Sequence, residues 1–219
     1  LGSEIGGSLR MEVLEGSGAL SLSDIRFEGA GLTGTGALEV EGLEDAFLTS
    51  GTITVEAADF ARFSGLAGRR LGGAGTLELK GSASRSSGFF DTDIAFAGTG
   101  LRLDIPQLDR LLAGASSLKA SIRRDEGGTV LRAMDLVAAS LSATASGTLA
   151  TSGSTLDGEV TIGDLSDLGP PFAGSVDLTA AFSGTPEDGQ LAVLGTGRGL
   201  RVGSAEADRL LAGTSAIEA

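Results

Sequence analysis

The sequence lacks several residue types on which protein chemistry often depends. Cysteine, histidine, tryptophan, tyrosine and asparagine are absent, and phenylalanine, with 9 residues, is the only aromatic type. Without cysteine or histidine, thiol catalysis, most transition-metal and haem sites, and serine–histidine–aspartate triads are excluded. The absence of cysteine also excludes a disulfide framework.

Positive charge and long hydrophobic runs are scarce as well. Lys+Arg total 16 against 29 Asp+Glu, which gives a formal net charge of −13. Because so acidic a chain is poorly suited to neutralising phosphates, we expect no nucleic-acid partner. No run reaches the roughly 18 apolar residues of a membrane span. Since the sequence begins at Leu1 rather than with methionine, we expect it to be a piece of a longer protein whose targeting signal lies in another part.

Glycine and alternating apolar residues dominate what is present. Glycine accounts for 36 of the 219 residues, about twice its ordinary usage. Leu77 and Leu79 flank Glu78, and the same two-residue period recurs along most of the chain. This alternation predicts strands with one apolar face, and the Gly, Ser and Asp clusters between them predict the turns of an antiparallel meander. Helical periodicity is limited to two short stretches, 108–113 and 206–212.

An internal repeat organises the sequence. The hexamer Asp-Arg-Leu-Leu-Ala-Gly occurs at 109–114 and again at 208–213, an offset of 99 residues. Further blocks match at the same offset, and several matches in one register predict a unit of about 100 residues. We therefore expect 1–58 to be the tail of a preceding unit, 59–163 to be one unit, and 164–219 to be a second, truncated unit, all within one continuous sheet.

The sheet is expected to curve around an apolar groove. Many inward positions hold Ala, Gly, Thr or Ser, which provide too little bulk for a closed sandwich but suit a bent sheet. The predicted fold is therefore all-β: a curved or rolled, mainly antiparallel sheet with one short helical turn in each unit. The expected groove residues are large and apolar and lie at strand positions: Leu77, Leu79, Ile94, Phe96, Leu101, Leu118, Ile122, Leu156, Val160, Val176, Leu178 and Phe182.

Two motifs match enzyme signatures without the context that those signatures require. Residues 29–34 form a literal G-x-G-x-x-G, but a strand-like pattern follows instead of the helix of a dinucleotide-binding fold. Ser116 and Lys119 match S-x-x-K, but the partner motifs of acyl enzymes are missing. We interpret the first motif as a turn and the second as the start of a strand. The sequence thus predicts no enzyme, no catalytic residue, no metal site and no cofactor.

Paired acidic residues have a structural interpretation and two functional ones. Asp91 and Asp93 share one strand face, as do Glu39 and Glu41, and this spacing is typical of a solvated outer face. An ion site or a general acid–base pair is the alternative, although no calcium-binding loop accompanies either pair.

Short helical turns are expected at one end of the sheet. The two hexamers predict caps that bury the leucine pairs 111–112 and 210–211 against the sheet, with a docking motif as the alternative. Segments 59–63 and 164–168 each place two apolar residues, three apart, directly after an aspartate. That pattern predicts an aspartate-capped single turn.

These blocks together resemble a known family. Residues 59–73 (Asp-Phe-Ala-Arg-Phe-Ser-Gly-Leu-Ala-Gly-Arg-Arg-Leu-Gly-Gly), residues 98–101 (Gly-Thr-Gly-Leu) and both hexamers resemble the AsmA-like superfamily and, within it, the alphaproteobacterial TamB family of translocation and assembly module subunits. The resemblance covers the chain from about Gly51 onward, whereas residues 1–50 resemble the family only in general character.

The resemblance implies a long periplasmic protein anchored in the inner membrane of a Gram-negative bacterium. The family's rolled sheet, called a β-taco, carries an apolar groove that holds phospholipid acyl chains, and the family takes part in outer-membrane biogenesis. Its partner is an Omp85-type outer-membrane barrel, TamA, which we expect to contact parts outside this sequence. The family has no catalytic residues to transfer.

Other functions remain open at this point. A secreted structural or adhesive β-repeat stalk would have the same alternation but a filled core, although such solenoids repeat every 20–30 residues or so. A compact β-sandwich without a cavity is a further alternative. What occupies the apolar face distinguishes these possibilities.

Overall fold

The computed structural model describes residues 5–16, 18–42, 47–185 and 188–219. They form thirteen strands that follow one another in chain order in a single, gently curved sheet, and every neighbouring pair is antiparallel. The predicted all-β, antiparallel fold is thereby confirmed. Parts of the predicted first segment, 1–58, lie outside the described residues.

The strands are long for a globular protein. Each has 9 to 13 residues except the last, which has 5, against about five to six in a typical strand. They are β1 (Gly6–Leu14), β2 (Ala19–Gly29), β3 (Leu32–Glu41), β4 (Leu48–Ala57), β5 (Gly72–Ser84), β6 (Phe90–Arg102), β7 (Ala115–Asp125), β8 (Gly128–Ala138), β9 (Leu141–Leu149), β10 (Ser154–Ile162), β11 (Ala173–Gly184), β12 (Gly189–Arg201) and β13 (Thr214–Glu218).

All helical segments of the described residues lie at one end of the sheet. They are two 3₁₀ turns and three short helices: Phe60–Phe63, α1 (Ser64–Ala67), α2 (Pro106–Leu111), Leu165–Leu168 and α3 (Ala205–Leu210). Because antiparallel strands alternate in direction, the connections that contain these segments all emerge from the same end, which we name the capped end. We name the opposite end, with the β5–β6 and β7–β8 connections, the hairpin end.

The sheet has one apolar and one polar face. Successive side chains of a strand point to opposite faces, so Val176 and Leu178 lie on one face of β11 and Asp177 lies on the other. Directly paired residues of antiparallel strands share a face. The pairing of Leu178 with Val160 and Gly195 therefore extends the same face across β10 and β12. We name the face that carries Leu178 the apolar face.

No second layer of the described chain covers the apolar face. The accessible surface is 13589 Å², whereas a compact monomer of this mass would expose about 9,200 Å². Among the residues that the structure describes, no large side chain is fully buried. The buried apolar residues are few and lie mostly at strand ends or in the caps: Ala19, Val40, Ala57, Leu111, Ala138 and Leu200.

Large side chains of the apolar face pack over glycines instead of against a second layer. A Cβ atom added to Gly34 would lie 2.0 Å from the ring of Phe27, and one added to Gly98 would lie 2.8 Å from Cδ1 of Leu101. The same contact recurs in β12, where a Cβ on Gly197 would lie 2.3 Å from Cδ1 of Leu200. Because these glycines have no Cβ atom, a neighbouring Phe or Leu side chain lies directly against their backbone. This packing role is additional to the curvature that glycine is expected to allow.

The capped end repeats its hydrogen bonds along the chain. The Leu103 N–H donates to Asp109 Oδ1 over 2.6 Å, and the Val202 N–H donates to Asp208 Oδ1 over 2.7 Å. Both 3₁₀ turns are capped by an aspartate, as the Asp59 pattern predicts. Four strands, β7 to β10, separate α2 from the turn Leu165–Leu168, and four described strands precede the turn Phe60–Phe63.

The two hexamers occupy different surroundings. Leu111 at the end of α2 is only 3% exposed, and Arg110 Nη1 donates to the carbonyl oxygen of Leu168 over 2.9 Å. Leu210 at the end of α3 is 85% exposed. The predicted burial is therefore correct for Leu111 and wrong for Leu210, because no 3₁₀ turn of the described chain packs against α3.

Candidate functional site

The predicted groove residues all lie on the apolar face. Eleven of them occupy paired strand positions there, and Leu101, which follows the bulge in β6, packs over Gly98 on the same face. All are half-buried. They are Leu77, Leu79, Ile94, Phe96, Leu101, Leu118, Ile122, Leu156, Val160, Val176, Leu178 and Phe182.

One continuous row of side chains crosses ten strands of this face. Five predicted residues belong to it, three further members are also large and apolar, and the remaining two are small. From β4 to β13 the row consists of Val55, Leu77, Phe96, Leu118, Leu136, Ala143, Val160, Leu178, Gly195 and Ile217. With roughly 4.8 Å between neighbouring strands, the row is about 43 Å long.

The other predicted residues form parallel rows beside this one. Leu79 pairs with Ile94 in the row next to the central one, and Leu156 pairs with Phe182 in the row beyond that, both on the side of the hairpin end. Val176 lies nearer the capped end. The apolar residues of the face therefore form a band several residues wide rather than a single line.

Sequence analysis missed several members of these rows. Val55 and Ile162 stand at alternating positions and could have been found by the same signal. Leu136 was harder to find, because a bulge between Leu131 and Met134 interrupts the two-residue period of β8. Periodicity alone does not locate a bulge.

Both acidic pairs lie on the polar face, and the Asp91–Asp93 pair is held there by an arginine. Arg132 Nη1 donates to Asp91 Oδ2 over 2.9 Å, and its Nε donates to Ser121 Oγ over 2.9 Å. The hydrogen bond from Arg132 lowers the pKa of Asp91 below its ordinary value. Asp93 lies 3.6 Å from the same guanidinium. These contacts support the structural interpretation of the Asp91–Asp93 pair.

The polar face also has shallow depressions between its side chains. One of them encloses about 660 Å³ and is lined partly by Asp135, Asp157 and Glu159. An acidic lining does not suit an acyl chain. Within the described residues, no group of three or more Asp or Glu side chains could hold a metal ion.

The two enzyme-like motifs fall on strands and a hairpin. Gly29 ends β2 and Leu32 begins β3, so the G-x-G-x-x-G motif spans a hairpin, with no helix after it. Ser116 and Lys119 lie three positions apart in β7, on opposite faces of the sheet. Their side chains therefore cannot act together.

Two further findings concern the helices of the described residues and the comparisons with known proteins. No helix within the described ranges is long and apolar enough to cross a membrane. No family model matches the chain, and no curated protein and no solved structure matches it either.

Proposed function

We propose that this chain is a segment of a periplasmic lipid-transfer bridge whose apolar face conducts phospholipid acyl chains towards the outer membrane. The observation that carries the proposal is the set of uncovered apolar rows, of which the central one crosses ten strands without an acidic residue. A filled-core stalk would need large buried side chains, and the described residues include none that is fully buried.

The dimensions of the apolar band suit an acyl chain. From Val176 to Phe182 the apolar face of β11 extends about 20 Å along the strand. An acyl chain spans about 15 Å, half of the bilayer hydrocarbon core. Acyl chains lying along the strands therefore fit within the band, and movement across successive strands follows the rows.

Passive sliding follows from the uniformity of the rows. Each methylene group removed from water contributes about 0.8 kcal/mol, and the row offers similar apolar contacts at Leu77, Leu118 and Val160. Since no one position offers an acyl chain much more favourable apolar contacts than the next, the acyl chain moves along the row without a deep trap. The inner-membrane anchor and an Omp85-type barrel partner belong to this proposal as contributions from outside the present sequence.

Charged substitutions on β11 test the proposal. Val176→Asp combined with Leu178→Asp places two carboxylates in the apolar band, where burial against an acyl chain leaves them desolvated and unpaired. We expect the folded double variant to lose at least nine-tenths of the phospholipid that co-purifies with the wild type, measured by native mass spectrometry without harsh detergent. The matched control is Ser175→Asp with Thr179→Asp, on the polar face of the same strand.

Three results would contradict the proposal. The first is a wild-type protein that is folded by circular dichroism and carries no phospholipid, even after incubation with phospholipid vesicles. The second is a Val176→Asp, Leu178→Asp protein that is folded and retains phospholipid at the wild-type level. Equal loss in both double variants would also contradict it, because the effect would then follow from added charge and not from the apolar face.

A further inference from the structure

At the paired positions of the apolar face that the structure describes, one side chain is charged, that of Arg124. It lies near the end of β7, where it pairs with Phe90 of β6 and Thr129 of β8. At all other paired positions of the apolar face within the described residues there is no Asp, Glu, Lys or Arg. In a chain with a net charge of −13, the single charge on this face is thus positive.

The guanidinium of Arg124 is not used by the fold. No described residue forms a hydrogen bond or an ion pair with its side chain. Its neighbour Arg123, on the polar face, lies 3.2 Å from Asp125, and Arg132 is held by Asp91. Arg124 therefore keeps its five N–H donors for water or for a ligand.

Arg124 and the apolar band are arranged like the phosphate and the acyl chains of a phospholipid. Arg124 lies at the hairpin end, and the next residue along the same face is Ile122, which pairs with Thr92 and Leu131. From there the apolar band extends towards the capped end. A molecule with a phosphate at one end and acyl chains at the other can place the phosphate at Arg124 and the chains on the band.

Charge complementarity selects the phosphate. A planar guanidinium forms paired hydrogen bonds with phosphate oxygens. The polar face mixes acidic residues such as Asp157 and Glu159 with basic ones such as Lys119, whereas the only charge at the paired positions of the apolar face among the described residues is that of Arg124. In the described part of the chain, the apolar face thus joins an unpaired guanidinium to a large hydrophobic area.

We propose that Arg124 binds the phosphodiester of a glycerophospholipid whose acyl chains lie on the apolar face. The proposal rests on the proposed function and adds an orientation to it: the headgroup lies at the hairpin end and the acyl chains point towards the capped end. Arg124 is then a position at which a sliding lipid pauses, because its phosphate gains a contact that the rest of the face does not offer.

The variant Arg124→Gln tests whether Arg124 binds the phosphodiester, and Arg123→Gln is its control. Arg123 is the matched control, since it is adjacent in the sequence but lies on the opposite face. The probes are phosphatidylglycerol and a diacylglycerol with the same acyl chains, measured by native mass spectrometry titration. We expect Arg124→Gln to weaken phosphatidylglycerol binding about tenfold, which is typical of a lost charge-assisted hydrogen bond, and to leave diacylglycerol binding unchanged. Arg123→Gln should change neither, and Arg124→Lys should retain part of the preference.

The outcomes separate this inference from the proposed function. A wild type that binds neither lipid overturns both proposals. If the wild type binds both lipids and Arg124→Gln changes neither, or weakens both equally, only the headgroup assignment fails. Free glycerol 3-phosphate is the third probe. Competition at concentrations similar to that of phosphatidylglycerol would indicate a site for soluble phosphates and would overturn the lipid assignment.

Discussion

Glycines of the apolar face leave room for large side chains on neighbouring strands. The ring of Phe27 lies over Gly34, the ring of Phe96 lies over Gly75, and the ring of Phe182 approaches Gly189. In a sheet without a second layer, these contacts remove apolar surface from water that would otherwise remain exposed. The high glycine content is therefore partly a packing requirement.

Gly34→Ala should destabilise β2 and β3. The new Cβ would lie 2.0 Å from Cε1 and Cζ of Phe27, so the ring must move away and lose its contact. Overpacking of this kind costs about 1–3 kcal/mol. We expect the circular dichroism of the β-sheet to begin falling at a lower temperature than in the wild type.

Gly114→Ala is the control for that substitution. A Cβ on Gly114 meets no atom within 4 Å, so its thermal unfolding should match the wild type. An unchanged unfolding curve for Gly34→Ala would mean that the Phe27 ring repacks freely and that the glycine is dispensable.

The sequence predicts faces better than it predicts contacts. Alternation places all twelve groove candidates on one side, because a strand's side chains alternate whatever its neighbours are. The partner of each residue depends on register, and register depends on bulges such as the one beside Met134 in β8. The lone charge at Arg124 was missed for this reason, since its face becomes visible only once its pairing with Phe90 is known.

Identical hexamers form helices of similar geometry in unlike surroundings. The Leu112 N–H donates to Leu108 O, and the equivalent Leu211 N–H donates to Ala207 O, both over 2.9 Å. The local sequence thus sets the helix. The burial of Leu111 depends instead on a turn more than fifty residues further along, at Leu165–Leu168, which contacts α2. A repeat pattern predicts the helix but not its long-range neighbour.

Leu111→Ala and Leu210→Ala should therefore differ. Truncating a buried leucine costs about 2–5 kcal/mol, whereas truncating Leu210, which is 85% exposed, removes almost no contact. We expect hydrogen exchange of the Leu112 amide to accelerate strongly in Leu111→Ala. The Leu211 amide should exchange at the wild-type rate in Leu210→Ala. Equal acceleration in both variants would show that the burial of Leu111 contributes nothing to α2.

Each strand of this molecule contacts mainly the strands before and after it in the chain. The strand–strand contacts of the described residues follow chain order, and the contact between α2 and the turn Leu165–Leu168 joins parts four strands apart. Such a molecule is close to one-dimensional. Its free energy of unfolding is therefore approximately the sum of one contribution from each strand and one from each contact between neighbouring strands. A disturbance in one region should weaken as it passes along the sheet.

Hydrogen exchange across the whole chain tests this expectation. In Leu111→Ala, amides of β6 and of β10 and β11 should exchange faster, because α2 packs on β6 and its partner turn connects β10 to β11. Amides of β2 and β3, at the far side of the sheet, should keep their wild-type rates. Uniform acceleration from β2 to β12 would instead mean that the sheet opens as one cooperative unit. In that case the apolar rows would be held or lost together.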